Sequence, residues 1–159
     1  MLNIFVDADA CPVKQEVFRV AGRYRLQVTL VANSRMAVPN EPWIRLEVVG
    51  DALDEADDWI VDRVGAGDIV VTADVPLASR CLKAGARVIG STGKPFTDDN
   101  IGAAVATRDL LADLRGAGET TGGPPPMTKR DRSRFLQALD EAVQSIRRSV
   151  TRSAGSAGR

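Results

Sequence analysis

The sequence predicts an α/β fold: a doubly wound, parallel five-stranded sheet in a Rossmann-like three-layer arrangement, with an added C-terminal helix. Two observations support this class. Short apolar runs alternate five times with segments of helical periodicity, which is the pattern of a parallel sheet covered by helices on both faces. The 159 residues, 44% hydrophobic and 4% aromatic, suit one domain with a core of aliphatic side chains.

Five strands are predicted from short β-prone runs bounded by polar residues, glycine or proline. The first run, Ile4-Phe5-Val6, ends at two aspartates, and the fourth, Ile69-Val70-Val71-Thr72, also ends shortly before an aspartate. The predicted strands cover residues 4–6, 27–32, 43–49, 69–72 and 86–90.

Helices are predicted after the first, third, fourth and fifth strands and again near the C-terminus. Pro12 suits the first position of a helix over about 12–23, because its fixed φ fits and its missing N–H is not needed there. Asp98 and Asp99 are expected to open the fourth helix, and Thr128 with Asp131 resembles a capping box at the start of the last one. The other helices follow from apolar stripes: Val13-Val17-Val20-Tyr24, Leu53-Asp57-Ile60-Val64, Leu77-Cys81-Ala84 and Phe135-Leu139-Val143-Ile146-Val150.

The predicted domain covers residues 1–148 and includes a basic C-terminal helix over about 128–148. Residues 91–97 and the Gly- and Pro-rich connector 116–126 are expected to be loops. Residues 149–159 are small and polar, and we expect a disordered tail there.

Composition excludes several classes of function. The chain has no histidine, which removes Ser-His-Asp and Cys-His catalysis and almost all zinc-enzyme sites. Carboxylates remain, and these prefer hard ions such as Mg²⁺ or Mn²⁺. There is no apolar run of about 18 residues and no signal-like N-terminus, so no membrane association is expected. With only two cysteines, a cytoplasmic location is the default expectation.

Charge is unevenly distributed along a chain that is neutral as a whole. From Met127 onward, eight Lys and Arg residues face three acids, a net charge of +5, so residues 1–126 carry −5. A basic arm on an acidic body suits a polyanionic partner held beside a carboxylate cluster. The alternative is an ordinary solvated helix face.

Three aspartates lie where predicted parallel strands end. Asp7 and Asp9 follow the first strand, and Asp74 follows the fourth. Ligands of open α/β sheets bind at the carboxyl ends of the strands. If the two strands are adjacent, the three acids converge and repel one another unless protons or a cation intervene, which points to a divalent metal. Alternatively, Asp9 and Asp74 are helix N-caps.

The second predicted helix carries a further acid on its apolar side. Asp57 lies within the stripe that includes Ile60 and Val64, and Asp54 lies at its flank. A carboxylate on a core-facing stripe is costly unless it is paired or binds a metal. Both residues are therefore candidates, although Asp54 also suits the helix N-terminus, where the helix dipole favours negative charge.

Taken together, the motifs resemble the bacterial YaiI/YqxD family over about residues 3–148. They are Asp7-Ala8-Asp9-Ala10-Cys11-Pro12-Val13-Lys14, Val31-Ala32-Asn33-Ser34, Asp54-Glu55-Ala56-Asp57, Gly67-Asp68, Thr72-Ala73-Asp74-Val75-Pro76-Leu77-Ala78, Gly122-Gly123-Pro124 and Lys129-Arg130-Asp131-Arg132. The family is functionally uncharacterised and resembles the PIN-like (NYN) nuclease clan, whose acids hold Mg²⁺ or Mn²⁺ at the ends of parallel strands.

That resemblance implies a metal-dependent nuclease, with RNA as the expected substrate. It assigns Asp7, Asp57 and Asp74 as catalytic metal ligands, adds Asp54 to the ligand set, and makes Asp9 a ligand or near-site partner. Two metals about 3.5–4 Å apart would activate a water and stabilise the leaving oxygen of a phosphodiester. Candidate contacts to nucleic acid are Lys14, Asn33, Ser34, Arg35, Lys129, Arg130 and Arg132.

Two other interpretations of the sequence stay open. An aspartyl phosphatase of the haloacid dehalogenase type would use Asp7 as nucleophile and Asp9 as general acid, with Thr72, Lys94 and the pair Asp98-Asp99 completing its motifs. A non-enzymatic nucleic-acid-binding module would keep the basic arm and use the acids only for structure or for a single ion.

Overall fold

The computed structural model describes residues 2–52, 54–116 and 126–157. Its centre is a six-stranded sheet in the order β3-β2-β1-β4-β5-β6, parallel except for the last pair. The strands are β1 (Asn3–Asp7), β2 (Gln27–Ala32), β3 (Ile44–Val48), β4 (Ile69–Val71), β5 (Arg87–Ile89) and β6 (Pro95–Phe96). The α-helices are α1 (Lys14–Tyr24), α2 (Glu55–Val61), α3 (Val75–Lys83), α4 (Ile101–Gly116) and α5 (Lys129–Ala157).

The predicted fold class is confirmed, with one more strand than expected. Residues 95–96, predicted as loop, form β6, which pairs antiparallel with β5 through Val88–Phe96 and Ile89–Pro95. A two-residue strand is too short to show any periodicity, and Pro95 conceals it further because proline is tolerated only at the edge of a sheet. The sheet grows from β1 in one direction through β2 and β3 and in the other through β4, β5 and β6, which confirms the doubly wound topology.

The first helix begins later than predicted. Residues Ala8–Ala10 form a 3₁₀ turn directly after β1, and α1 starts only at Lys14. Val13 at the N-cap position has φ −117°, outside the helical range, so Pro12 precedes the helix instead of opening it. The extra turn lets the chain change direction at the end of β1, where Asp7 and Asp9 lie.

Two apolar layers cover the sheet, one on each face. One layer packs α1 and α5 against alternate strand residues such as Ile4, Val6 and Leu30. The other packs α2 and α3 against the intervening residues, including Phe5 and Val70. Because side chains alternate across a strand, Asp7, two residues after Phe5, lies on the same face of the sheet as Phe5, which is the α2–α3 face.

The C-terminal helix is confirmed and is longer than predicted. The capping box is present: Asp131 N–H donates to Thr128 Oγ1 at 3.0 Å, and Thr128 N–H donates to Asp131 Oδ2 at 3.1 Å. Helix α5 continues to Ala157, past the predicted end near residue 148 and into the segment 149–159 that was expected to be a disordered tail, and no proline interrupts it. The connector 117–125, with the motif at 122–124, and Leu53 of the predicted stripe lie outside the described residues.

Within the described ranges, none of the helices combines the length and the apolar character that crossing a bilayer requires.

Candidate functional site

The ends of β1 and β4 are joined by a short chain of hydrogen bonds. Val6 and Val71 are register partners, so Asp7 and Thr72 follow them side by side. Thr72 Oγ1 donates to Asp7 Oδ2 at 2.9 Å, and the same hydroxyl oxygen accepts from the Asp74 backbone N–H at 3.0 Å. Since Thr72 is buried, this hydroxyl fixes the relative position of the two strand ends. The pair lies at the point where the strand order reverses, which is the usual ligand position in such sheets.

Asp74 has a structural role in addition to its place at this edge. Its Oδ1 accepts from Leu77 N–H at 3.0 Å and caps α3, which has a proline in its first turn. The cap predicted from the sequence is therefore present. Within the described residues, no donor contacts Asp74 Oδ2 or Asp7 Oδ1, and both acids line a cavity of about 370 Å³ together with Thr72, Cys11 and Ser91.

The cap separates two variants of Asp74 by stability. Asn retains a side-chain oxygen for Leu77 N–H, whereas Ala does not, and both remove the negative charge. We expect the free energy of unfolding of Asp74→Ala to be about 1 kcal/mol lower than that of Asp74→Asn, which is the usual contribution of an N-cap side chain. Urea denaturation of the two variants measures this difference. Equal stabilities would show that Asp74 does not cap α3.

The acids at this end of the sheet repel one another electrostatically. Burial raises the pKa of Asp7, with further contributions from Asp74 and Asp9, while the Thr72 hydrogen bond opposes the rise. Burial also raises the pKa of Asp57 to about 6, helped by repulsion from Asp74, Asp7 and Asp54. Arg80 opposes this shift but forms its ion pair with Asp58, at 2.8 Å. The negative charges of Asp7 and Asp74 at the strand ends therefore disfavour ionisation of Asp57.

The raised pKa of Asp57 predicts a stability effect that depends on pH. The folded chain holds the Asp57 proton more tightly than the unfolded chain, so ionisation lowers stability as pH rises from 3.8 to about 6, and the full cost is present above 6. We expect Asp57→Asn to stabilise the protein at pH 7.5 by about 1 kcal/mol, which corresponds to about 2–4 °C in Tm. This is well below the free energy that the full pKa shift would give, because Asp57 is half-exposed and solvent screens its charge.

The control for this effect is Asp62→Asn, an exposed acid at the C-terminal end of the same helix. It removes one negative charge outside the cavity, so its stability should stay within about 0.5 kcal/mol of wild type. The gain of Asp57→Asn should vanish as pH falls towards 4. A gain that persists at pH 4 would contradict the assignment of the charge as its cause.

Asp9 and Asp54 lie at the margin of this group. Asp9 is exposed, and its Oδ2 accepts from Asn33 N–H at 2.9 Å, which ties the end of β2 to the 3₁₀ turn. Asp54 has φ +64° at the N-cap position of α2 without a side-chain cap bond. Over residues 2–52, 54–116 and 126–157, no three Asp, Glu or Cys side chains are grouped closely enough to hold one metal ion. The structure thus brings together Asp7 and Asp74 in one cavity, and Asp57 is linked to them by electrostatic repulsion, but the five predicted ligands do not form one group.

Several predicted contacts to nucleic acid take part in internal hydrogen bonds. Arg132 donates to the Pro12 carbonyl at 2.8 Å and contacts Glu16 Oε1 at 3.3 Å. Lys14 Nζ donates to the Cys11 carbonyl at 2.9 Å, and Asn33 Nδ2 donates to the Gly50 carbonyl at 2.8 Å. These side chains therefore hold the loops around the strand ends. The others, Ser34, Arg35, Lys129 and Arg130, are exposed, and their role in binding stays a prediction.

Comparison with known proteins identifies the family. The model of the uncharacterised YaiI/YqxD family matches residues 5–145. The chain belongs to this family. It is 55% identical over 148 residues to a UPF0178 protein of Rhodospirillum rubrum, covering 92% of this chain and 99% of that one. It is 56% identical to a UPF0178 protein of Rhodopseudomonas palustris, covering 93% and 94%, and 57% identical to one of Sphingopyxis alaskensis, covering 92% and 96%. None of these names carries an activity.

Two residues of this YaiI/YqxD chain were not assigned to the candidate metal site from the sequence. Thr72 was assigned only in the phosphatase alternative, yet it bonds Asp7 and the backbone of Asp74. Ser91 follows β5 and lines the same cavity. Thr72 is the last residue of the predicted fourth strand and Ser91 directly follows the predicted fifth strand, so the strand-end rule that selects Asp7 and Asp74 also applies to them.

Proposed function

We propose that this protein is a metal-dependent nuclease that hydrolyses phosphodiester bonds, with RNA as the first substrate to test. One observation carries the proposal: Asp7 and Asp74 line a single cavity at the strand-order switch point, and each has a carboxylate oxygen that accepts no hydrogen bond from a described residue. The resemblance to PIN-like nucleases supports the same residues independently of this geometry.

The donor set suits Mg²⁺ or Mn²⁺ better than other biological metals. Only carboxylate and hydroxyl oxygens are available among Asp7, Thr72, Asp74 and Ser91, and the chain has no histidine. Cys11 is the single thiol among the described residues that line the cavity, whereas sites for softer ions typically use several thiolate or imidazole ligands. Mg²⁺ commonly binds through one or two carboxylates, with waters and substrate phosphates completing its shell. A third protein ligand is therefore not required.

The residues of the site divide into ligands and a positioning group. Asp7 and Asp74 would hold the ion, and the Thr72 hydroxyl would keep their carboxylates in place. When bound, the ion would supply Lewis acidity at the phosphate and lower the pKa of a coordinated water. Asp57 stays a candidate ligand, as the resemblance to PIN-like nucleases implies, and burial with repulsion from Asp74 and Asp7 raises its pKa to about 6.

The phosphatase alternative finds less support in this arrangement. Its motifs require the pair Asp98-Asp99 at the same site as Asp7, but both residues are exposed beyond β6, and Asp98 lines a different cavity together with Val88, Phe96 and Ala142. Asp57 also has no role in that chemistry. The nuclease proposal accounts for Asp7, Asp57 and Asp74 together.

Cleavage of a fluorescently labelled single-stranded RNA tests the proposal. We expect products in Mg²⁺ or Mn²⁺ and none after chelation with EDTA. Binding of the RNA without cleavage in either metal would support the non-enzymatic module instead and overturn the nuclease proposal.

A further inference from the structure

A second, mostly apolar cavity adjoins the acidic one. Its volume is about 660 Å³, and it shares three lining residues with the smaller cavity, namely Ala10, Ala73 and Ser91. The two therefore form one cleft along the carboxyl ends of β1, β4 and β5. Asp7 and Asp74 lie at one end, and the apolar cavity forms the other.

The apolar end combines hydrophobic walls with a few polar groups. Pro12, Phe96, Ala104 and Met127 are among its apolar lining residues. The polar lining residues are Ser91, Thr92, Lys94, Asn100 and Asp131. Asn100 donates to the Pro95 carbonyl and Asp131 bonds Thr128, whereas the side chains of Ser91, Thr92 and Lys94 make no hydrogen bond or ion pair with any described residue. Lining of this kind, with a small number of polar groups around an apolar volume of several hundred cubic ångströms, is typical of sites for small ligands.

One wall of the cavity is a short hairpin held in a fixed conformation. Gly90 N–H donates to the Lys94 carbonyl at 2.9 Å, and Gly93 N–H donates to the Gly90 carbonyl at 2.9 Å. Gly93 has φ +89°, and a Cβ there would lie 2.8 Å from the Arg134 carbonyl oxygen of α5. The hairpin that presents Ser91, Thr92 and Lys94 is thus packed tightly against the last helix.

We propose that the apolar end binds the base of a nucleotide that neighbours the scissile phosphate, which makes single-stranded nucleic acid the substrate class. The inference rests on the proposed function, because the acidic end must hold that phosphate. A base has apolar faces and a polar edge, which match the Phe96 and Met127 side chains and the Ser91 and Thr92 hydroxyls. A base enters such a cavity only when it is unstacked, so a duplex is excluded.

Titration with adenosine, followed by ¹H–¹⁵N NMR without metal, tests the base site directly. Adenosine carries no phosphate, so the acidic end does not contribute. We expect saturable shifts at the amides of Ser91, Thr92 and Ala104, and no such shifts with D-ribose.

Ala104→Trp fills the cavity and should weaken adenosine binding at least about tenfold, the scale of base stacking. Ala103→Trp is the matched control, since Ala103 is exposed and does not line the cavity, and its affinity should stay within about twofold of wild type.

The same spectra show whether each variant is folded. If Ala104→Trp is not, Ala104→Leu adds less volume at the same wall and should still weaken binding by about threefold. Equal shifts with ribose and adenosine, or unchanged affinity in a folded Ala104 variant, would overturn the base site. Loss of the base site with RNA cleavage intact would leave the nuclease proposal standing. Adenosine binding without cleavage would overturn the nuclease proposal alone.

Discussion

Asp7→Asn should lower Mg²⁺-dependent cleavage of single-stranded RNA by about 10²–10³-fold, the loss typical when one electrostatic contact to the reacting group is removed. The side chain lies at the end of β1 with one oxygen directed to Thr72 and the other without a described partner. Asn keeps an oxygen for the Thr72 hydroxyl but removes the charge that would hold a cation. Initial rates with a labelled oligonucleotide at saturating metal give the measurement.

Asp62→Asn is the matched control for charge, because it removes one carboxylate from an exposed position on α2. Its cleavage rate should stay within about twofold of wild type. Asp7→Asn should also remain folded, since it relieves repulsion from Asp74 and Asp9. Cleavage by a folded Asp7→Asn protein at the wild-type rate would remove Asp7 from the chemistry.

Phe135→Ala should have the largest effect on stability, about 3–5 kcal/mol of unfolding free energy. Phe135 is fully buried in the first turns of α5, in the core layer that also contains Val13, Val17 and Leu139. Truncation leaves a cavity between the last helix and the sheet, where no neighbour can relax to fill it completely. Urea denaturation monitored by circular dichroism measures the loss.

Val150→Ala provides the comparison on the same helix. Its side chain is 61% exposed although the sequence places it on the predicted apolar stripe, so its removal should change stability by less than about 0.5 kcal/mol. Comparing the stability losses of the two variants tests whether α5 packs on the core at Phe135 and no longer does so at Val150. A loss below 1 kcal/mol for Phe135→Ala would contradict the docking of α5.

The sheet was predictable because its strands are buried on both faces. Each residue of Ile4-Phe5-Val6 and Ile69-Val70-Val71 is in the core, so the strands appear in the sequence as unbroken apolar runs. The edge strand β6 lacks that signal, since it has two residues and one of them is Pro95. The hydrophobic pattern of the sequence therefore identifies the central strands of the sheet but not its edge strand β6.

The convergence of Asp7 and Asp74 was predictable from topology, but the contacts around them were not. Parallel strands place their ends at one edge, which brings the two acids together once β1 and β4 are neighbours. No spacing rule connects Arg132 with the carbonyl of Pro12, 120 residues earlier. A basic residue in the C-terminal arm looks the same in sequence whether it docks the helix or contacts a phosphate.

Calorimetric titration with Mn²⁺ tests the central claim, that Asp7 and Asp74 together hold a divalent cation. Asp74→Asn is the informative variant, because it keeps the cap on α3 and removes only the charge. We predict saturable binding to the wild-type protein, and binding weakened at least about tenfold in Asp74→Asn and in Asp7→Asn, the scale on which changes around a metal site reduce affinity. Equal Mn²⁺ affinity in all three proteins, or no binding to the wild type, would contradict it.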